Sequence, residues 1–482
     1  MPTRRFDRSQ VYLVPPSLDD WLPADHPARF VADLIDAWDA ATWTALGVER
    51  TAAAHGAPRY APEVLLALWI YGFMDGRRSS RAIERECRTD LAYRWLSGNQ
   101  QPDHNTLARF YQTHRETMRA LFRQTVRIAV TSGLVEWAVQ AVDSTKILAN
   151  AAPDRSLTAA QLATLMQETE QAIADLEDQQ TSDDEGGPPA LPPALVDARQ
   201  RRERIRAAQA ALAAEARATK HNLTDPDAQI MKTRRGKLPA YNAQAVVARV
   251  AASLPAAGGR LIVATDLTTS PTDQGQLPAM VDGLMETTGR VADVLVADTG
   301  YHDAASLVGC AERGVPIVMP EPDRASPAAT SGRFPQARFA YDPDTDTFTC
   351  PAGQALTYRG ATPTGRGSTE RRYRAPVAQC RGCPLRQQCL GRSEESRLLR
   401  VPSGIAAMRA HRRWMATEEA QALSAQRSRL IEPVFGTLKE GFGARRFLRR
   451  GLANVQSEWA LTAAAFNLRT LWRCWRLGLV SP

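Results

Sequence analysis

Two short apolar runs, Val139-Gln-Ala-Val-Asp143 and Val294-Leu-Val-Ala-Asp298, each end on an aspartate. Both read as strands, and they sit inside a longer alternation of elements. Residues Tyr241 to Val250 and Arg260 to Leu267 read as an antiparallel pair, joined by the loop Leu254-Pro-Ala-Ala-Gly-Gly259. Asp273 to Met285 and Ala304 to Arg313 read as helices, and Val315-Pro-Ile-Val-Met319 as a further buried strand. The order β, β, β, α, β, α, β, α predicts an α/β fold, a mixed sheet flanked by helices.

Strand ends at the carboxyl edge of such a sheet are where ligands bind. Paired carboxylates there suit hard cations such as Mg²⁺, which take oxygen ligands. A lone aspartate after a strand is ordinarily a turn former. The pair gains weight from a third carboxylate, Glu432, in Arg427-Ser-Arg-Leu-Ile-Glu-Pro-Val-Phe-Gly-Thr-Leu-Lys439. Glu432 and Lys439 are seven apart and share one face of a continuous helix. Pro433 predicts either a helix that starts there, with Glu432 as its cap, or one bent at that point.

A chain of 482 residues exceeds one core, so the rest divides around this sheet. Residues 1–130 read as a helical N-terminal domain of the helix-turn-helix kind. Pro62 opens an almost wholly apolar helix, Ser80 is placed to cap the next, and Asp103 or Asn105 a later one. The sheet begins in 131–155 and resumes in 221–325. Between them, 156–220 reads as a helical hairpin carrying Leu162, Leu165, Ile173 and Leu176 out and Leu195, Ile205, Ala208 and Leu212 back, with a disordered tip rich in acid, Gly and Pro. Residues 326–404 form a cysteine-rich insertion, and 405–482 are C-terminal helices with a basic patch.

Four of the seven cysteines, Cys350, Cys380, Cys383 and Cys389, are spaced to supply one structural Zn²⁺ with four thiolates. Cys87, Cys310 and Cys474 read as small core residues. That clustering, rather than an even disulfide framework, predicts a reducing, cytoplasmic setting. A composition of 44% hydrophobic and 23% charged residues excludes wholesale disorder and a collagen-like repeat. No apolar stretch approaches the roughly 18 residues of a membrane span. Of a net charge of +8, the segment from Arg427 onward carries a surplus of seven, ten Lys/Arg against three Asp/Glu. Arg445, Arg446, Arg449 and Arg450 crowd together there, a distribution that suits a polyanion.

A string of motifs adds to this reading. It comprises Tyr60-Ala-Pro with Ser79-Ser80, Pro102-Asp-His-Asn-Thr106, Val142-Asp-Ser-Thr-Lys146 and Thr224-Asp-Pro-Asp-Ala228, then Tyr241-Asn-Ala-Gln244, Ala297-Asp-Thr-Gly-Tyr301 and Glu432-Pro-Val-Phe-Gly436 with Lys439. In this order, and over almost the whole chain, it resembles bacterial insertion-sequence DDE transposases with an RNase-H-like core. Among these it looks like the insertion-sequence 1182 type of the broader insertion-sequence 4/5 superfamily. The resemblance implies that Asp143, Asp298 and Glu432 are catalytic and hold two Mg²⁺ (or Mn²⁺) ions. It implies a nucleoid-associated enzyme that cuts double-stranded DNA at its element's terminal inverted repeats and joins the ends to target DNA as a homodimer, with no membrane partner.

Related enzymes often place a tyrosine and an arginine seven and four residues before the glutamate. Here those positions are Ala425 and Ser428, with Arg427 and Arg429 beside the second, while Lys439 matches. Arg427, Arg429, Lys439 and the four clustered arginines are expected on DNA phosphates, and Asn105, Arg109 and Arg115 on base edges. Tyr301, directly after Asp298-Thr-Gly, is placed to stack on an unpaired base or contact a phosphate, beside the plainer reading of a tyrosine that packs at a loop. The competing reading is a non-catalytic DNA-binding or zinc-dependent interaction protein that keeps an RNase-H-like shell.

Overall fold

The computed structural model describes residues 17–49, 59–182, 193–214, 219–256, 258–322, 333–363 and 369–481. The hairpin tip at 183–192 and most of the Pro/Ser-rich break after Pro322 lie outside the described residues. Helices α1 (Leu18–Trp21), α2 (Pro27–Asp36), α3 (Ala40–Leu46), α4 (Pro62–Met74), α5 (Ser80–Thr89), α6 (Leu91–Leu96), α7 (His104–Thr113) and α8 (Arg115–Thr131) precede strand β1 (Val139–Leu148). Two short strands, β2 (Ser156–Leu157) and β3 (His221–Asn222), flank the hairpin α9 (Ala159–Ser182) and α10 (Pro193–Ala214). There follow β4 (Gln229–Thr233), β5 (Gly236–Arg249), β6 (Arg260–Thr268), α11 (Leu277–Thr288), β7 (Val294–Ala297), α12 (Ala304–Glu312) and β8 (Ile317–Val318).

The cysteine region holds β9 (Ala340–Asp342), β10 (Thr347–Thr349), β11 (Ala355–Pro363), β12 (Thr369–Arg374), α13 (Val377–Arg381), α14 (Arg386–Cys389) and β13 (Leu398–Pro402). The chain closes with α15 (Ile405–Met415), α16 (Glu418–Ser424), α17 (Arg427–Gly436) and α18 (Leu452–Arg476). The fold is mixed α/β. One sheet has the order β4-β5-β1-β7-β8 with β6 on β5, and its pairs β4–β5 and β5–β6 are antiparallel while β1–β7 and β7–β8 are parallel. No helix among the described residues is long and apolar enough to cross a membrane.

The chain forms two compact units, Met1–Val135 with Ser144–Pro271 and Glu432–Pro482, and Glu136–Asp143 with Thr272–Ile431. In the first, α18 packs on α8, α4 and β6. Its core includes Trp69, Trp459, Leu461 and Leu471, all at most 1% exposed. Asn467 of α18 acts on β6 as a strand neighbour does, accepting from Ile262 N and donating to Ile262 O, both at 2.8 Å. Helix α4 buries every residue from Leu65 to Met74, as its all-round apolar sequence requires. The hairpin buries Leu162, Met166, Ile205 and Ala208 in a small core of its own.

The second unit contains the parallel strands β7 and β8 beside the first half of β1, with α11, α12, α15 and α16. It also contains a five-stranded antiparallel sheet, β13-β12-β11-β10-β9, where the sequence pattern predicts no strands. Phe339, Phe348, Leu356, Tyr373, Leu399 and Val401 form its core.

Local chemistry explains the element starts. The cap of α5 is Ser79 rather than Ser80, because Ser79 has the extended backbone a cap needs and its Oγ accepts from Ala82 N at 3.2 Å. Asp103, not Asn105, caps α7 through Thr106 N at 2.6 Å. Helix α17 neither starts at Pro433 nor ends there; proline sits inside it, and a π-helical turn, Thr437–Gly441, follows.

Candidate active site

Strands β1 and β7 run parallel in register, with Val139 opposite Val294 and Val142 opposite Ala297. Asp143 and Asp298 are the next residue on each. Neighbouring strands lie ~4.8 Å apart, so residues one step past the same register pair sit side by side. Strand β7 ends at Ala297, but β1 runs on to Leu148, so Asp143 lies within its strand rather than at the strand end that the sequence pattern predicts. Ala141, Val142, Leu295, Val296 and Ala297 are at most 1% exposed and anchor both backbones from behind. Asp298 Oδ1 also accepts from Thr299 N at 2.8 Å, which starts the tight 3₁₀ turn Thr299–Tyr301.

The cation at this pair is a side chain. Arg427, the first residue of α17, places Nη1 2.5 Å from Asp143 Oδ2 and Nη2 3.9 Å from Asp298 Oδ1. One guanidinium therefore answers both carboxylates. Two oxygen-bearing arms already gathered on a cation are a donor set that fits a hard divalent ion. Among the described residues, however, no group of three or more His, Cys, Asp or Glu stands in metal-holding geometry. The sequence pattern assigns Arg427 to DNA and does not reveal this contact, which depends on tertiary packing alone. Nor does it reveal Asp273: a Cβ on Gly300 would meet Asp273 Oδ2 at 3.1 Å, so the glycine after Asp298-Thr admits a further carboxylate to the turn. Its only sequence signal is the turn Pro271-Thr-Asp-Gln-Gly275.

Glu432 and Lys439 belong to the first unit. Glu432 is exposed on α17, as is Arg429. Lys439 donates from Nζ to Thr145 Oγ1, a contact within the first unit. The π-helical turn breaks the α-helical register between Glu432 and Lys439, so their spacing of seven does not by itself put them on one face.

The expected DNA contacts fare unevenly. Asn105 and Arg109 are exposed one turn apart on α7, and Arg115 is exposed at the start of α8. Arg446 and Arg450 are exposed too. Arg445 is paired with Glu440, and Arg449 lies over the Tyr111 ring at 3.3 Å from its centroid. Arg449 is thus a packing cation rather than part of an open basic patch. Tyr301 is 0% exposed, which leaves no ring face for a base; its role here is in the core. Beside it, His302 and His411 are each 7% exposed, with ring centroids 5.6 Å apart. Burial pulls both imidazoles down, His411 to about 4.

Cys350, Cys380, Cys383 and Cys389 line one small cavity beside the antiparallel sheet. Gln354 N donates to Cys350 Sγ at 3.3 Å, and burial pushes the Cys389 thiol up. Cys87, Cys310 and Cys474 are buried, the core positions expected of them.

Two family models match this chain. Residues 349–472 match a transposase DDE domain, and residues 16–113 match a further transposase domain. Together they support an insertion-sequence DDE transposase. The DDE-domain match includes Glu432, Lys439 and the four clustered cysteines, and the other match covers Asn105 and Arg109. No curated protein matches the chain.

Proposed function

We propose that this chain is a DNA transposase of the insertion-sequence 1182 type with an RNase-H-like core. On this reading it binds the terminal inverted repeats of its element, cuts there, and transfers the freed 3′ hydroxyl to target DNA. The observation that carries the proposal is the placement of Asp143 and Asp298 one step past the same register pair of adjacent parallel strands, in a chain with two transposase-domain matches. Asp143 and Asp298, with Glu432 as third carboxylate, would hold two Mg²⁺ or Mn²⁺ ions. Such ions supply the positive charge that activates an attacking oxygen and stabilises a leaving one.

The chain's own residues have the remaining tasks. Lys439, held on Thr145, carries an ammonium suited to a scissile phosphate. Asn105, Arg109 and Arg115 are suited to reading repeat sequence, and Arg446 and Arg450 to gripping the backbone. Two copies pairing the two DNA ends, and one structural Zn²⁺ on the four cysteines, complete the proposal. The four cysteines line one cavity but do not stand as a group in metal-holding geometry among the described residues, so the zinc rests on their spacing in the sequence.

The test is incubation of the full-length protein with Mg²⁺ and the DNA that flanks its own gene, with cuts mapped to the nucleotide. Cuts at the repeat ends are expected, and DNA bound but never cut would favour a binding protein instead.

A further inference from the structure

We propose that Arg427 is the resident counter-cation of the aspartate pair, and that a divalent cation binds there by displacing it. The inference rests on the reading of Asp143 and Asp298 as metal ligands. Its first support is geometric. With Nη1 at 2.5 Å from one carboxylate and Nη2 at 3.9 Å from the other, the guanidinium occupies the space that a cation shared by both would need. Two cations cannot hold that space together.

The second support is electrostatic. Like charges on directly neighbouring strand positions repel. The Asp143 side chain is only 17% exposed and Arg427 24%, so water screens neither well. The Asp298 side chain is 47% exposed, so the charge that most needs a nearby cation is that of Asp143. Arg427 meets that need when no metal is bound.

The third support is mechanical. Arg427 is the first residue of α17, so its side chain can turn away without breaking a strand or a helix interior. Its departure would leave a guanidinium in want of another anion, and the phosphates of bound duplex offer one. Cation and DNA are then coupled through one side chain. Whatever draws Arg427 off tightens cation binding, and by linkage the cation favours whatever Arg427 binds next.

The test measures Mn²⁺ binding to the full-length chain without DNA, by the electron paramagnetic resonance signal of unbound Mn²⁺. Arg427→Gln is expected to bind Mn²⁺ roughly tenfold more tightly than the unchanged protein, within the usual span for coupled sites. Arg427→Lys, which keeps the charge but loses the second arm, should fall between them. A thermal melt should show Arg427→Gln less stable without cation and restored by Mn²⁺, which a merely structural arginine would not give. Affinity equal to or weaker than that of the unchanged protein in both Arg427 variants would overturn the exchange alone. Mn²⁺ binding unaltered by Asp143→Asn and by Asp298→Asn would overturn the metal reading itself, and the exchange with it.

Discussion

Glu458, its side chain 1% exposed, receives Arg78 Nη2 at 2.5 Å and the Leu448 and Arg449 amides at 3.1 and 3.0 Å. Arg78 in turn donates to Gly443 O and Arg446 O, so this pair ties the segment before α18 to the start of α5. Removing one partner strands the other charge: Glu458→Ala should cost about 3–5 kcal/mol in urea unfolding. Acid should expose a second residue-scale weakness. His411, faced by His302, with Glu321 and Arg412 nearby, has a folded pKa pulled down to about 4 from the usual 6.5. Between those values the unfolded chain binds the proton and the folded chain does not, so stability falls as pH drops from about 6.5 to about 4. His411→Leu should flatten that part of a stability–pH curve; an unchanged slope would show that the ring is already solvated. At this scale, the aspartate pair is legible in the sequence because each member ends an apolar run. Arg427 and Arg449 are not, because their partners come from distant segments and nothing in their local sequence distinguishes a packed cation from an exposed one.

Helix α17 shows how an element can depart from its local rules. Proline removes a donor and is expected to break a helix, yet Pro433 sits inside α17 with Val434 and Phe435 buried beside it. A π-helical turn follows directly, so the departure from α-helical register comes one residue after the helix ends at Gly436. The main strands and both arms of the hairpin are readable from apolar periodicity. The antiparallel sheet of the cysteine region is not, because Thr369-Glu-Arg-Arg-Tyr-Arg374 offers one apolar residue in six. Its inward period of two becomes visible only once Tyr373 is seen against Phe348 at 4.9 Å. This element carries the zinc expectation: the purified protein should contain about one Zn²⁺ per chain. Cys380→Ser with Cys383→Ser should raise hydrogen exchange in β9 to β13 while leaving β5 and β6 protected. Metal analysis finding no zinc in protein prepared without chelators would remove the proposal.

For the molecule as a whole, the division into two units runs through β1 between Asp143 and Ser144 and through α17 between Ile431 and Glu432. The domain order expected from sequence is therefore a linear description of a chain that weaves between two bodies. Only long-range pairing, which periodicity does not encode, fixes that weave. DNA binding is expected to separate in the same full-length protein. Arg446→Gln with Arg450→Gln should weaken binding to all duplexes alike and flatten the salt dependence by a slope of roughly 0.9 for each phosphate no longer neutralised. Asn105→Ala with Arg109→Ala should instead erase the preference for the element's own repeat. Selective loss of repeat binding in the arginine variant would reverse that assignment. The central claim is that Asp143 and Asp298 together bind the cation of phosphodiester chemistry. It is tested most directly by cutting assays on the flanking DNA with Asp143→Asn and Asp298→Asn, each confirmed folded by circular dichroism. Both variants should lose Mg²⁺-dependent cutting by roughly 10²–10³-fold or more while still binding the repeat. Cutting at the unchanged rate in either variant would contradict the claim.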